Sequence, residues 1–308
     1  MSEIAKTMSV GKPNDLGNCA YFLSRNNNKT MLDKYVSYMY DVTKDLYQFA
    51  SSSLEANIKQ ISSCLTNQNL IMKEIFMSSK TISREQLVRF IDHTMVNANA
   101  TIRDIDKLCK EAIDNNFAMI AVSPCMVSYC ADKLKGTDVA VGVGAVSFPH
   151  GRATIETKVF ETKDAIKNGA QEIEYVMNIG ACKEHDYDLI RKEMREINNV
   201  CKKHGVLVKA ILETCYLTNE EMIEVAKIAR EEKPDFLKTS TGFASAGARV
   251  EHVKLLLENV GPDVFVKAAG EIRDWETCAA MIDAGATRIG TRSSIKIMDE
   301  FDKARQQL

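Results

Sequence analysis

Two lysines stand inside apolar segments that have the pattern of short β-strands. Lys238 closes the segment DFLK and Lys267 closes VFVK, so each ammonium group would be withdrawn from water. Desolvating an ammonium ion costs several kcal/mol unless the protein uses the charge. A free lysine has a pKa of about 10.4, and both burial and a second nearby positive charge lower it. A lysine in such a position can attack a carbonyl group and form a Schiff base, which is the chemistry that these two residues indicate.

A second set of residues suits an anion. A glycine lies at or just after the end of each of the last three apolar segments. The three are Gly242, Gly270 and Gly290, and hydroxyl or basic side chains lie within a few residues of each. Backbone N–H groups at such loops can approach a phosphate closely, and Arg273 and Arg292 could add charge-assisted contacts. Each glycine alone could serve a tight turn, but three neighbouring loops with one pattern favour a phosphate site. Together the lysines and glycines predict a Schiff-base enzyme for a phosphorylated carbonyl compound.

Other polar residues also lie at or near the ends of apolar segments. Asp92 ends the first segment, and Lys209 lies within the fifth. Glu172 and Glu174 flank an isoleucine in the fourth segment, so their side chains share one face of a strand. Packing alone would not favour such residues at these positions.

Metal and cysteine chemistry find less support. His93 and His150 follow different segments, and no H-x-H, H-x-x-x-H or cysteine cluster accompanies them. No cysteine ends a segment beside a histidine, as an activated thiol nucleophile would require. We therefore predict no metal site.

The elements that must position these residues alternate between strands and helices. The predicted strands are 89–93, 118–122, 139–148, 172–178, 206–213, 236–239, 264–268 and 287–290, and the clearest helices between them are 102–115, 154–168, 187–204 and 219–232. Eight such repeats predict an α/β protein with a (β/α)8 TIM barrel, in which chemistry sits at the carboxyl ends of the strands. A doubly wound sheet is the alternative, but no G-x-G-x-x-G opens the first helix.

The first 80 residues differ from the rest in composition. We predict an N-terminal extension over residues 1–80, partly disordered and helical from about residue 31, followed by a barrel domain over 81–308. The helices of the extension either cover an end of the barrel or form an oligomerisation or partner-binding element. No chemistry is indicated there.

Composition limits the possible partners. The chain has 308 residues, 45% of them hydrophobic and 27% charged, with a net charge of −2, which gives no reason to expect nucleic acid or a membrane surface as partner. No apolar run approaches a spanning helix, and the first residues, which lack an apolar stretch and carry acids, lead us to expect no signal or transit peptide. Nine cysteines at scattered spacings indicate reduced thiols, and hence a cytoplasmic protein. A homo-oligomer is possible, but the sequence does not give the oligomeric state.

The motif series resembles that of the deoxyribose-phosphate aldolases, a family of class I aldolases. Six segments carry the resemblance in the family's order and spacing, across residues 84–308: FIDHT, VSFPHG, VKAILETCYLT, DFLKTSTGF, VKAAGEIR and ATRIGT. The resemblance implies reversible cleavage of 2-deoxyribose 5-phosphate to glyceraldehyde 3-phosphate and acetaldehyde, with no metal or organic cofactor. The extension lies outside the resemblance.

The same resemblance implies roles for individual residues. Lys238 takes the place of the Schiff-base lysine and Lys267 that of the neighbouring lysine that activates it. Asp92 and Lys209 match other polar residues of the site, and Glu174 falls at the proton-relay position. Residues at phosphate-binding positions are Gly242, Gly270 and Ser293.

Three residues depart from the family's pattern. Glu174 stands where the family usually has an aspartate, and its side chain reaches about one methylene farther. Glu271 replaces the second of two glycines, which brings a carboxylate near the predicted phosphate. Arg292 stands where a serine is usual and could offset that charge.

These departures keep two further hypotheses open. One is a Schiff-base aldolase for a different aldehyde or phosphosugar. The other is a non-catalytic barrel that binds a phosphosugar, although such a protein has no need for two desolvated amines side by side.

Overall fold

A computed structural model describes residues 78–306 of the chain. Eight parallel strands close into a barrel in which each strand pairs with its neighbours in sequence and the eighth pairs with the first. The strands are β1 Ile91–Met95, β2 Met119–Val122, β3 Ala140–Val146, β4 Glu172–Val176, β5 Leu207–Ile211, β6 Phe236–Lys238, β7 Phe265–Ala269 and β8 Arg288–Thr291. The predicted (β/α)8 barrel is confirmed, and each strand overlaps its predicted segment.

Ten α-helices accompany the strands within these residues. They are α1 Arg84–Val88, α2 Ile102–Asn115, α3 Val127–Lys133, α4 Ile155–Lys167, α5 Ile179–Lys183, α6 Tyr187–His204, α7 Asn219–Glu232, α8 Val250–Val260, α9 Trp275–Asp283 and α10 Ser294–Gln306. The predicted bounds of α2, α6 and α7 agree with the structure, and α4 is one residue shorter at each end. None of the helices in this part of the chain is both long and apolar enough to cross a lipid bilayer.

Local sequence signals set where the helices begin and end. Thr101 and Thr218 each form a capping box, with Asp104 and Glu221 as the reciprocal partners. Gly205 ends α6 in the left-handed conformation, with φ of 65°. These signals fix the helix lengths and so the positions of the strands that follow.

Alternation along the strands separates an apolar outer face from a charged interior. On the last strands, Leu237, Val266 and Ile289 are fully buried beneath the helices. The residues that alternate with these along each strand project inward. They include Lys238 and Lys267, whose Cα atoms are direct partners across β6 and β7. The prediction that these two lysines lie at one depth on adjacent strands is confirmed.

The predicted extension over residues 1–80 lies outside the described residues, except for its last three. Ser79 donates a backbone hydrogen bond of 2.7 Å to Asp283 of α9, and Arg305 of α10 donates to the carbonyl oxygens of Ser79 and Lys80. Residues 78–80 are thus hydrogen-bonded to the helices of the barrel. The assignment of the rest as an extension stays a prediction.

Thr218→Ala should lower the free energy of unfolding by about 1 kcal/mol, because it removes the side-chain oxygen that accepts the Glu221 N–H at the start of α7. Thr218→Ser keeps that oxygen and is the matched control. Urea unfolding followed by circular dichroism measures both variants. Equal midpoints for the two variants would contradict a stabilising cap.

Candidate active site

Seven ionisable side chains fill the interior of the barrel. Three are carboxylates and four are cations: Asp92, Glu172, Glu174, Lys209, Lys238, Lys267 and Arg288. All are at most 5% exposed, so the low surrounding dielectric makes their mutual contacts strong. The five residues predicted to do the chemistry all lie in this cluster.

Glu174 bridges the two key lysines. Its Oε2 accepts from Lys238 Nζ at 2.5 Å, and its Oε1 accepts from Lys267 Nζ. Burial opposes ionisation of this carboxylate, but the charges of Lys238, Lys267 and Lys209 outweigh it and hold its pKa well below its usual range. The longer reach of glutamate is used here to contact both lysines at once.

Asp92 contacts three of the four cations, including Lys267. Its Oδ2 accepts from Lys267 at 2.5 Å and from Lys209 at 2.8 Å, and its Oδ1 accepts from Arg288 at 2.8 Å. Burial opposes its ionisation, but these three charges, Arg288 foremost, hold its pKa far below the usual range. Asp92 therefore stays ionised and fixes the positions of its three partners.

Lys267 lies between Asp92 and Glu174 and is fully buried. Burial lowers its pKa to about 8, with Lys209 and Lys238 acting in the same direction and the two carboxylates opposing. A glycine gives it room, since a Cβ at Gly290 would lie 2.8 Å from Lys267 Cε. Gly290 was predicted as part of a phosphate loop. The space needed by Lys267 is a second reason why this position has no side chain.

Arg288 and Glu172 complete the cluster, and sequence reasoning did not select them as site residues. Arg288 donates two bonds to Glu172, at 2.7 and 2.8 Å, and Lys209 lies 2.5 Å from Glu172. The available signal was inward alternation, because Arg288 precedes Gly290 by two residues on β8. This pair supports the deeper end of the cluster.

A pocket of about 160 Å³ lies at the carboxyl ends of β6, β7 and β8. Lys238 is the member of the charged cluster that lines it. All six predicted phosphate-site residues line the same pocket: Gly242, Gly270, Arg273, Gly290, Arg292 and Ser293. Thr94, Thr241 and Gly247, which were not predicted, also contribute to the lining.

A larger cavity, of about 390 Å³, adjoins this pocket and shares Thr241, Phe243 and Ala244 with it. It includes His150 but no member of the charged cluster. Its size alone therefore does not make it the site of chemistry. Thr241 lies between the two cavities, and the carboxylate of Glu213 accepts a hydrogen bond from its backbone N–H at 3.2 Å.

The other histidine at a strand end lies away from the pocket. His93 Nδ1 is 2.8 Å from Ser294 Oγ and its Nε2 is 2.9 Å from Glu111 Oε2, so the ring joins β1 to α10 and α2. Across residues 78–306 no three His, Cys, Asp or Glu side chains are grouped in a way that could hold a metal ion. The arrangement that can do chemistry is an amine at the pocket floor with a carboxylate and a second amine behind it.

Comparisons with known proteins place the chain among aldolases. Residues 87–291 match a family model described as DeoC/LacD family aldolase. The chain is 51% identical over 213 residues to a deoxyribose-phosphate aldolase of Lactobacillus acidophilus, covering 69% of this chain and 90% of the relative. A deoxyribose-phosphate aldolase of Bacteroides thetaiotaomicron is 48% identical over 227 residues, covering 74% and 95%.

Solved structures show the same relationship. The structure of QR15, an aldolase, superposes with a TM-score of 0.67 at 35% identity, covering 72% of this chain and 98% of that one. A tetrameric deoxyribose phosphate aldolase from Aeropyrum pernix superposes with a TM-score of 0.66 at 27% identity, covering 72% and 92%. The chain belongs to the DeoC/LacD aldolase family.

Proposed function

We propose that this protein is a lyase that reversibly cleaves 2-deoxy-D-ribose 5-phosphate to D-glyceraldehyde 3-phosphate and acetaldehyde. The observation that carries the proposal is the position of Lys238, which lines the anion-suited pocket while its Nζ contacts Glu174 at 2.5 Å. Lys267 and Lys209 are fully buried and do not line that pocket. Lys238 is therefore the amine that a carbonyl compound can reach.

In the direction of synthesis, the neutral amine of Lys238 attacks the carbonyl carbon of acetaldehyde, and loss of water gives an imine. The protonated imine draws electrons from the adjacent methyl carbon, which loses a proton and becomes the enamine carbon. That carbon attacks the aldehyde of glyceraldehyde 3-phosphate, forming the new C–C bond. Water then releases the sugar phosphate and restores the amine.

Glu174 is our candidate for moving the protons of these steps. Its two oxygens contact Lys238 and Lys267, so a proton can pass from one amine to the other through this carboxylate. Lys267, Asp92 and Lys209 hold the relay in place through the bonds described above. We assign these three a positioning and electrostatic role.

The loops after β6, β7 and β8 are our candidates for binding the phosphate. Gly242 and Gly270 both have φ of 84°, a left-handed conformation in which glycine has no steric penalty. Their Cα atoms approach each other, since a Cβ at Gly270 would lie 3.6 Å from Gly242 Cα. Arg273, Gly290, Arg292 and Ser293 line the same space and supply positive charge and backbone or hydroxyl donors.

We further propose a cytoplasmic location and a homo-oligomer. The seven described cysteines are free thiols, which suits a reducing compartment. Support for an oligomer comes from the tetrameric Aeropyrum pernix structure, which covers 72% of this chain.

Borohydride reduction in the presence of acetaldehyde or 2-deoxyribose 5-phosphate should fix a substrate-derived group on Lys238. Peptide mass mapping locates the adduct, and a sample without substrate is the first control. Lys158 is an internal control, because it is buried against Glu193 away from the pocket. An adduct on another lysine, or none while the phosphosugar binds, would contradict the proposal.

Lys267→Leu should lower the activity and move the acid limb of the pH–rate profile to higher pH. The substitution removes a cation that repels a second ammonium group, and it leaves Glu174 free to favour the protonated form of Lys238. Both effects have the same sign. The profile of kcat against pH measures the shift, with Lys254→Leu on the exposed face of α8 as the control. An unshifted profile would show that Lys267 does not influence Lys238.

Glu174→Asp should lower kcat by at least tenfold, because the shorter side chain cannot contact Lys238 and Lys267 together, and a misplacement of about 1 Å can cost roughly 100-fold in rate. Incorporation of deuterium into the methyl group of acetaldehyde in D₂O reports the proton transfer separately and should fall in parallel. Glu258→Asp, at an exposed position, is the control. Full exchange at an unchanged kcat would rule out this role for Glu174.

A further inference from the structure

One carboxylate lies inside the pocket that is otherwise suited to an anion. Glu271 follows Gly270 directly and lines the pocket together with Arg273 and Arg292. Among residues 78–306 no ion pair joins Glu271 to either arginine, and Arg292 instead donates to Asn97 Oδ1 at 2.9 Å. The negative charge of Glu271 is thus placed where a phosphate would bind, without direct neutralisation.

The Glu271 carboxylate accepts a hydrogen bond from a donor that a bound anion would also use. Glu271 Oε2 accepts the backbone N–H of Gly247 at 3.0 Å. Gly247 is buried and lines the pocket, and a buried N–H without a partner is costly. In the free protein, therefore, Glu271 takes the place of an external anion at this amide.

The backbone at Glu271 is also unusual. Its φ is 61°, in the left-handed region that side chains other than glycine, asparagine and aspartate seldom adopt. Five other non-glycine residues of the described chain have positive φ, and none of them lines the pocket with Lys238. A strained residue at a binding pocket is a recognised starting point for a hypothesis of function.

The contact between the two loops does not depend on the Glu271 side chain alone. The N–H of Ala248 donates to the carbonyl oxygen of Gly270 at 3.1 Å. A Cβ at Gly247 would lie 2.2 Å from that same oxygen, so the two backbones touch. The loops after β6 and β7 are therefore joined by their backbones, and a carboxylate is not required to hold them.

We propose that Glu271 is a specificity-determining residue whose carboxylate competes with the substrate phosphate for the Gly247 N–H and repels that phosphate. This inference rests on the proposed function. Its consequence is that the protein discriminates between a phosphorylated sugar and the same sugar without phosphate less strongly than it would without the Glu271 carboxylate. An unphosphorylated substrate leaves the contact between Glu271 and Gly247 in place, whereas a phosphate ester must displace or repel the carboxylate.

Two variants separate the contributions of Glu271. Glu271→Gln removes the charge but keeps an oxygen that can accept the Gly247 N–H. Glu271→Gly removes the charge and also relieves the positive φ, so it covers the case in which the glutamine variant folds poorly. Glu276→Gln removes a carboxylate from an exposed position on α9, outside the pocket lining, and is the matched control.

The experiment compares kcat/KM for 2-deoxyribose 5-phosphate with kcat/KM for 2-deoxyribose. Both substrates release acetaldehyde, which alcohol dehydrogenase and NADH can follow. The ratio of the two constants should rise tenfold or more in both Glu271 variants, through a lower KM for the phosphosugar, and should not change in the control. An unchanged or lower ratio would overturn the inference and leave Glu271 as a contact between loops.

Failure of the proposed function is recognisable separately. If the unmodified protein cleaves neither sugar, the calorimetric affinity for inorganic phosphate tests the inference by itself. Glu271→Gln should then bind phosphate at least tenfold more tightly than the unmodified protein. Equal or weaker binding would overturn the inference on grounds that do not involve catalysis.

Discussion

A carboxylate held between two ammonium groups, fully out of water, is the interaction on which the interior of this barrel depends. An isolated buried carboxylate would cost several kcal/mol, and the ion pairs of Glu174 with Lys238 and Lys267 offset that cost. Lys238 and Lys267 lie on the paired strands β6 and β7, and Glu174 lies on β4, across β5 from Lys238, so the curvature of the sheet brings the three side chains together. Asp92 then continues the chain of ion pairs to Lys209 and Arg288. Closure of the barrel therefore brings the charges of the inner faces into contact, while the helices bury the apolar outer faces.

The charged interior does not simply add stability. Removing one partner from such a cluster leaves an unpaired buried charge, whereas well-packed apolar residues in place of the whole cluster are often as stable or more so. A barrel selected for stability alone would be expected to fill this space with branched aliphatic side chains. Retaining four cations there is consequently better explained by chemistry than by folding, and the surrounding apolar shell must supply the stability. Fully buried Leu237, Val266 and Ile289 are part of that shell.

Sequence patterns were sufficient for the architecture and for the placement of Lys238 and Lys267 in the barrel interior, because both follow from periodicity. An embedded lysine contradicts the pattern of its own strand, and Lys238 and Lys267 could be recognised in that way. Arg288 was harder to recognise, because its role requires Asp92 and Glu172 from strands that are far away in sequence. The second role of Gly290 depends on a 2.8 Å approach to Lys267, and the conformation of Glu271 on a backbone angle; neither leaves a signal in a single sequence. Local rules therefore predicted the elements, while contacts across the barrel required coordinates.

The distribution of charge explains how a buried amine can be used without disturbing the rest of the cluster. Four cations face three carboxylates, and burial lowers the pKa of Lys267 to about 8 although Asp92 and Glu174 oppose that shift. In the proposed mechanism, a protonated imine on Lys238 would carry the same single positive charge as the ammonium form of this residue. Glu174 therefore faces a cation of unchanged charge before and after the imine forms, and the surrounding dipoles and ions need little reorganisation. A fixed cluster of this kind suits repeated formation and hydrolysis of an imine better than a flexible one, because its electrostatic complementarity is already present when the substrate arrives.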